Sequence, residues 1–361
     1  MPGVILRVAL HDRSPATAPA LDRAVDAALS FLFRSRGRDG WWRDYAIVGP
    51  SDAWITAYVG AVLAELPAPA PLQAARQALR RLARRRPFMA GWGYNAWVPP
   101  DADSTAWVLR LAEALGRQPG LRIRRAYGFL ARHLRDSGGL ATYSVAGPIR
   151  RFTRAASSFG GWSAAHTCVT AAAASLSGFP MRRRLLEYLR SRRDADGGWT
   201  AYWWCDREYA TAFAAEAFHR DGRSSGDVLV QDAIAWAAAR LRPEGCIASA
   251  IEPQGSPFAT ALCLRVLALG PHRGAEDCMQ WLIAGQRGDG SWSASARLRI
   301  PPPGLEDPGQ VGSWGFDGVG DRSPGTIVRD QRAVFTTATV LAALLRARAA
   351  LAAPPSAAPS P

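Results

Sequence analysis

A glycine-rich turn that carries an aromatic residue recurs along this chain at intervals of about fifty residues. The clearest copies are Gly37-Arg-Asp-Gly-Trp41, Gly91-Trp92-Gly93, Asp196-Gly-Gly-Trp199 and Gly288-Asp-Gly-Ser-Trp292, and weaker copies are Ser137-Gly-Gly-Leu140 and Glu244-Gly-Cys246. The intervals are 51, 48, 59, 47 and 46 residues, measured through Trp41, Trp92, Leu140, Trp199, Cys246 and Trp292. Self-similarity at such a period is typical of a chain built from repeated supersecondary units.

Each turn lies between two helical patterns of different character. The pattern before the turn is rich in arginine, whereas the pattern after it is mostly apolar, as in Thr170-Ala-Ala-Ala-Ala-Ser-Leu176. The second pattern always contains a Thr followed by Ala, at Thr56, Thr105, Thr170, Thr211, Thr260 and Thr337. Because charged helices belong outside and apolar helices inside, the sequence predicts an all-α fold. It is an (α/α)6 toroid, in which six helical hairpins with Gly-Trp turns surround a central cavity.

Two segments interrupt the repeat and set the expected domain organisation. We expect an N-terminal extension over 1–20, one toroid domain over 21–350 with inserted loops at 144–162 and 293–330, and a disordered tail over 351–361. Long inserted loops in a compact domain are usually functional or disordered. The aromatic residues of the second insertion, in Trp314-Gly-Phe316, favour an ordered lid.

Charge and cysteine content limit the partners and the compartment. The formal net charge is +14, and all 44 basic residues are arginine. A GC-rich coding sequence explains this bias, and the alternative is an anionic partner such as a diphosphate or lipid headgroups, with peripheral membrane contact. The arginines are scattered and no nucleic-acid motif accompanies them, so we expect no nucleic-acid partner. Five scattered Cys without a CxxC pair favour a reducing cytoplasm. The sequence does not indicate the oligomeric state.

Aligning the six apolar helices on their Thr-Ala pairs brings a second set of positions into register. Two residues before each Thr lie Trp54, Asp103, Cys168, Tyr209, Phe258 and Phe335. If these positions face the cavity, one carboxylic acid projects into an aromatic chamber. Burial there raises a carboxyl pKa above its reference of about 3.9, and aromatic faces stabilise a cation by about 0.5 to 2 kcal/mol each. This arrangement suits protonation of an alkene or epoxide followed by carbocation rearrangement.

The alternative interpretation is structural. The segment from Val98 to Thr105 has the character of a helix start, where Asp and Ser serve as N-caps. We expect Asp101 to be the cap and Asp103 to lie too far inside the helix for that role. Aromatic side chains at helical spacing also serve commonly as plain core packing.

The residues from Trp281 to Trp292, which include Gln286, resemble the QW repeat of squalene-hopene and oxidosqualene cyclases. Degenerate copies without the Gln end at Trp199 and Trp41. In that family the Gln and Trp tie neighbouring helices together, so the resemblance implies the toroid fold. Protein prenyltransferase β subunits share this fold.

Asp101-Ala-Asp103-Ser104-Thr105-Ala106 resembles the DxDD-Thr-Ala motif of class II terpene cyclases. The resemblance implies that Asp103 is the general acid and that Asp101 and Ser104 orient it, although Ser104 replaces the third Asp. It also implies a hydrogen-bond partner for the acid from the next inner helix, at His166 or Cys168. Aromatic residues would hold the folded chain and its cations, at Trp54, Tyr209, Phe258 and Phe335, with further walls at Trp92, Tyr94 and Trp107.

The resemblance therefore implies a cyclase or isomerase of secondary metabolism that acts on a small hydrophobic, isoprenoid-type substrate. The familiar cyclases have two toroid domains, whereas this chain has length for one, so the chamber lies inside one ring or a partner closes it. We expect no metal and no cofactor, because protonation starts the reaction and no zinc-ligand spacing is present. A diphosphate on the substrate would lie near Arg150, Arg151 or Arg154.

Two further functions remain open. A non-catalytic toroid would bind a hydrophobic or prenylated ligand, with Asp103 turned into a capping bond. A carbohydrate-active toroid would use paired carboxylates, for which Asp206 and Glu208 at the start of an inner helix are the candidates.

Overall fold

The computed structural model of the protein describes residues 17–85, 90–116, 121–144, 147–153, 158–222, 228–249, 251–316 and 325–352. Most of the predicted N-terminal extension and of the predicted tail lies outside the described residues, and so does Arg154. The first helix begins at Thr17, so the last four residues of the predicted extension belong to the toroid.

Six helical hairpins form a closed double ring, which confirms the predicted (α/α)6 toroid. The outer helices are α1 (Thr17–Arg34), α3 (Pro69–Arg84), α5 (Leu121–Ala131), α9 (Arg182–Ser191), α11 (Val228–Ala239) and α13 (Gly274–Ala284). The inner helices are α2 (Ala53–Leu63), α4 (Ala102–Ala114), α8 (Thr167–Ala174), α10 (Arg207–His219), α12 (Pro257–Leu267) and α14 (Val334–Ala352). Each inner helix packs on the next one, and α14 packs on α2 to close the ring.

The two rings differ in burial as the residue pattern requires. Every residue of the inner helices α2 and α12 is buried. The outer helix α3 buries Ala74, Ala75, Ala78 and Leu82 on one face and leaves its arginines on the other. An outer helix needs one apolar stripe, whereas an inner helix is enclosed on all sides.

The recurring Thr has a structural role that the sequence alone did not reveal. In all six repeats its Oγ1 accepts a hydrogen bond, of 2.8 to 3.4 Å, from a backbone N–H of the preceding glycine turn. The donors are Trp42, Trp92, Leu140, Trp199, Ile247 and Trp292. The repeat was therefore aligned one residue too early at Trp41 and Cys246.

The four tryptophans among these donors also share a second bond. Each indole Nε1 donates to the backbone carbonyl ten residues earlier, at 2.6 to 2.9 Å. In the best QW copy, Gln286 donates from Nε2 to the carbonyls of Ala24 and Gly290, which ties α13 to α1. Gly290 has φ +85°, and a Cβ there would lie 2.1 Å from the Ala27 carbonyl oxygen, so only glycine fits.

Ring closure depends on a carboxylate from the first hairpin. Asp44 is buried and accepts backbone N–H bonds from Arg332, Val334 and Phe335, at 2.8 to 3.0 Å. It thus caps the N-terminus of α14 from the opposite end of the chain.

Short strands and helices in the connecting segments were not predicted. Strands β1 (Asp44–Ala46) and β2 (Pro50–Ser51) pair antiparallel. The first insertion holds the short helices α6 (Ile149–Thr153) and α7 (Gly160–Ser163). The second holds β3 (Arg297–Ile300), β4 (Gly315–Phe316) and β5 (Thr326–Arg329) in the order β3-β5-β4, where β3 is antiparallel and β4 parallel to β5. Strands of two to four residues leave too little pattern to recognise in a sequence.

Candidate active site

A cavity of about 620 Å³ lies where the inner helices begin. Four of the six aligned positions line it, at Trp54, Asp103, Cys168 and Tyr209. Both inserted segments complete the wall, and their lining residues include Phe152, Trp162, Leu298, Arg299 and Ile300. The single ring and its insertions therefore form a largely apolar chamber.

Asp101 is the N-cap of α4, as expected. Its Oδ1 accepts the Ser104 backbone N–H at 2.7 Å, and its Oδ2 accepts the Ser104 hydroxyl at 2.8 Å. Burial raises the pKa of Asp101 to about 7, although the bonds from Ser104 favour its ionised form. The predicted orienting residues thus hold each other at the start of α4, and neither is hydrogen-bonded to the Asp103 Oδ1.

Asp103 lies two residues further along and faces the chamber. Its Oδ1 is fully buried and has no hydrogen-bond partner among the described residues. Burial, reinforced by the neighbouring Asp101 carboxylate, raises the pKa of Asp103 well above its ordinary value, and the charge of Arg110 opposes this rise. The side chain is not a helix cap. Its buried, unpartnered oxygen favours the neutral form of the carboxylic acid.

Trp204 occupies the part of the ring where Phe258 and Phe335 were expected to contact the substrate. It precedes α10, and its ring centroid lies 4.4 Å from that of Tyr209, 5.2 Å from Phe258 and 5.3 Å from Phe335. Phe258 and Phe335 are consequently fully buried and do not line the chamber. Their predicted role as substrate contacts is not supported, because an indole delivered from a loop covers them.

His166 does not reach the acid. Its Nε2 donates to the Gly161 carbonyl at 2.8 Å, and its Nδ1 accepts from the Thr142 hydroxyl at 2.7 Å. Burial lowers the pKa of His166 to about 3, which keeps the ring neutral. The expectation that His166 bonds to Asp103 is therefore wrong in this structure. Its influence is indirect, because the Thr142 carbonyl accepts the Ala102 N–H at the start of α4.

The remaining candidates divide into two groups. Cys168 and Tyr94 line the chamber, and burial raises the pKa of the Cys168 thiol to about 11, so it stays protonated. Trp92, Trp107 and Glu208 do not line the chamber, which corrects their predicted role as substrate contacts. The Trp92 indole bonds to the Leu82 carbonyl, and Glu208 forms an ion pair with Arg240.

Trp107 lies below the chamber, next to a second cavity of about 450 Å³. It stacks edge-on to Tyr58 and Phe213, with ring centroids 4.4 and 5.3 Å apart. These rings separate the chamber from the other end of the toroid, which is lined by several arginines.

The sequence reasoning missed the aromatic residues that come from loops. Trp203 and Trp204 both line the chamber, as do Trp162 and Tyr143. The run Tyr202-Trp203-Trp204 was a signal, because three adjacent aromatic residues in a non-periodic turn need an apolar surface to cover.

No helix in the described part of the chain is long and apolar enough to cross a membrane.

A toroid whose aromatic chamber holds buried carboxylic acids has the arrangement expected of enzymes that start polyene cyclisation by protonation. No protein-family model and no curated protein matches the chain. The structure of the type II terpene cyclase MstE from Scytonema is 39% identical with a TM-score of 0.87, over 92% of this chain and 98% of that chain. A protein from Actinoplanes is 42% identical, also with a TM-score of 0.87, over 91% of this chain and 99% of its own.

These similarities show that the chain belongs to the type II terpene cyclases. A third structure, ent-copalyl diphosphate synthase from Streptomyces platensis, is 20% identical with a TM-score of 0.57. The match covers 82% of this chain and 50% of that chain. At this identity it shows only that the two proteins share a fold.

Proposed function

We propose that Asp103 is the general acid of this cyclase and that the substrate is a polyprenyl chain attached to a compact polar head. The observation that carries the proposal is the buried, unpartnered Oδ1 of Asp103 in the aromatic chamber. A carboxyl group that cannot share its charge by hydrogen bonding favours its neutral form, and only that form can give a proton to an alkene.

The proposed reaction begins when the Asp103 carboxyl transfers its proton to the terminal double bond of the folded chain. The resulting tertiary cation is attacked by the next double bond, and each ring closure moves the positive charge along the chain. The last cation gives a proton to solvent water at the chamber mouth, which forms a new double bond, and the Asp103 carboxylate takes up a proton from solvent to restore the acid. The proton gained at the start equals the proton lost at the end, so the reaction is an isomerisation.

The chamber wall supplies what the cationic intermediates require. Trp54, Trp204 and Tyr209 expose aromatic faces, each of which stabilises a cation by about 0.5 to 2 kcal/mol. Their interlocking keeps them in place, since Trp204 stacks on Tyr209 and lies 6.1 Å from Trp54 between ring centroids. We propose that the two inserted segments act as a lid that excludes water. Water inside the chamber would react with the cations and end the cyclisation early.

The substrate class follows from the similarity to MstE. MstE has been solved with geranylgeranyl dihydroxybenzoate as substrate and with merosterolic acid A as product. In this chain the terminal alkene would lie at Asp103 and the head at the mouth, where Arg299 and Thr153 are the polar lining residues. A carboxylate or other anionic head is also favoured by the exposed Arg150 and Arg151 on α6.

Peripheral contact with a membrane would help such a lipophilic substrate to enter. Val48 and Phe152 line the chamber and are also partly exposed outside it. Trp97 is 67% exposed and lies against Gly49, beside Val48. An exposed aromatic side chain is suited to the headgroup region of a bilayer. The five free cysteines fit a reducing compartment.

The carbohydrate-active alternative has little support. Asp206 is held by Arg297 at 2.6 Å, and Glu208 is held by Arg240 at 2.6 Å. Two carboxylates that are each committed to a different arginine do not form the acid–base pair that glycoside cleavage needs.

The experiment is to replace Asp103→Asn and to follow conversion of geranylgeranyl dihydroxybenzoate by liquid chromatography with mass spectrometry. We expect turnover to fall by at least the ~100- to 10,000-fold typical of a lost general acid, with an unchanged melting temperature. The matched control is Glu208→Gln, which makes the same chemical change at another inner-helix start and should retain turnover. Cyclised product from a folded Asp103→Asn enzyme would refute the assignment.

A further inference from the structure

Trp204 divides the interior of the toroid into an open part and a filled part. The alignment of the inner helices places Phe258 and Phe335 at the same level as the chamber residues Trp54 and Tyr209. In the structure the indole of Trp204 lies nearly parallel to both phenyl rings, with interplanar angles of 28° and 20°. The sector in front of these two rings is therefore occupied by one side chain and not by the chamber.

The backbone around Trp204 is held by the second insertion. Trp204 forms an isolated bridge with Leu298 of β3. On either side, the Trp203 carbonyl accepts the Arg299 N–H at 2.8 Å, and the Cys205 N–H donates to the Arg297 carbonyl at 3.1 Å. The indole is only 2% exposed. Trp204 is therefore held through both its backbone and its ring as part of the chamber wall.

We propose that Trp204 sets the length of the polyprenyl chain that this enzyme accepts. The proposal rests on the proposed function, since it assigns a specificity determinant to the same chamber. With Trp204 in place, a folded chain fills the space between Asp103 and the inserted segments. Without it, the chamber extends to Phe258 and Phe335 and gains room for a further isoprene unit.

The physical basis is that the new space would be surrounded mainly by aromatic rings. Tyr209, Phe258, Phe335 and Trp54 surround the indole. An apolar cavity of roughly 150 Å³ stays dry and binds small hydrocarbons. Five carbons are comparable to a leucine side chain, whose burial contributes enough free energy to change relative affinity by about 10- to 100-fold.

The experiment compares two probes that differ by one isoprene unit. They are geranylgeranyl (20-carbon) dihydroxybenzoate and geranylfarnesyl (25-carbon) dihydroxybenzoate. For Trp204→Ala we expect the ratio of kcat/KM, longer over shorter, to rise by about 10- to 100-fold over the unmodified enzyme. Trp204→Phe, which leaves a smaller space and is safer for folding, should give an intermediate rise. Trp236→Ala is the matched control, because it removes a buried indole that belongs to the outer helix α11.

A second readout separates this proposal from the proposed function. In an Asp103→Asn background, which cannot turn over if Asp103 is the acid, the dissociation constants of both probes are measured by calorimetry. Tighter binding of the longer probe after Trp204→Ala supports the length assignment whether or not Asp103 is catalytic. An unchanged preference in folded Trp204→Ala and Trp204→Phe proteins, by turnover and by binding, would overturn it. A change of equal size in Trp236→Ala would overturn it as well.

Discussion

Arg110 should control the acidity of Asp103 from the far side of Trp107. Helix α4 presents Asp103, Trp107 and Arg110 at positions i, i+4 and i+7, which lie on one face. Asp103 faces the chamber, whereas Arg110 lines the second cavity and stacks over Trp107 at 4.3 Å from the ring centroid. Arg110 forms no ion pair with another described residue, although the nearby Glu216, which is paired with Arg265 and Arg346, acts on it electrostatically.

The size of the effect follows from helix geometry. Seven residues at 1.5 Å each place the Cα atoms of the two residues about 10 Å apart, and we take this as the distance between their charges. At an effective dielectric constant of about 20, opposite charges at that distance interact by about 1.7 kcal/mol, which corresponds to roughly one unit of pKa. Burial and the charges of Arg220, Arg265 and Arg346 lower the pKa of Arg110 only to about 10, so it is charged in any neutral assay.

The direction of the pKa shift follows from which protonation state of Asp103 the Arg110 charge stabilises. The positive Arg110 favours ionised Asp103 and lowers its pKa. Arg110→Gln therefore raises the pKa of Asp103 by roughly one unit. Because activity needs the protonated acid and is lost as pH rises through that pKa, the alkaline limb of kcat moves about one unit upward. The acid also becomes weaker, so kcat below that limb falls severalfold.

The assay is a pH profile of single-turnover cyclisation, together with infrared titration of the carboxyl band that disappears in Asp103→Asn. Arg183→Gln is the matched control, because it removes the same charge from an exposed site on α9 whose partner is Glu187. An alkaline limb that stays in place, or moves downward, in a folded Arg110→Gln enzyme would show that Arg110 does not act on the acid.

Two further predictions concern carboxylates at helix starts. Asp101→Asn removes the negative charge that raises the pKa of Asp103, so the alkaline limb should move downward by roughly one to three units. A pH profile in which it moves upward would contradict this. Asp44→Ala removes the acceptor for three N–H groups at the start of α14 and should lower the free energy of unfolding by about 2 to 4 kcal/mol. Urea denaturation measures this loss, and a loss below about 0.5 kcal/mol would argue against capping as the closure of the ring.

The fold was predictable because its signal is repeated. Each of the six Thr residues recurs with a glycine turn about a dozen or more residues earlier, and each pair forms the same hydrogen bond. Single copies such as Glu244-Gly-Cys246 are weak, but the period makes them recognisable. The one-residue error at Trp41 arose because two tryptophans are adjacent, and only the bond from Trp42 to Thr56 distinguishes them.

The candidate site was predictable only where it is built from repeats. Asp103 and Tyr209 lie on inner helices. Their positions relative to the repeated Thr therefore predicted that both side chains face the chamber. Trp204 belongs to a turn without period, and its position depends on pairing with β3, a strand of four residues more than ninety positions away. His166 was expected to serve the acid, but nearby backbone and hydroxyl groups satisfy both of its nitrogens.

The direction of the inner helices explains why the chamber must be aromatic. Asp103, Cys168 and Tyr209 all lie in the first turn of an inner helix, so several helix N-termini converge on the chamber. Helix N-termini carry partial positive charge and disfavour a cation nearby. A cyclase built on this ring therefore needs a compensating negative potential that cannot react with the cation. Aromatic faces provide it without a nucleophilic atom.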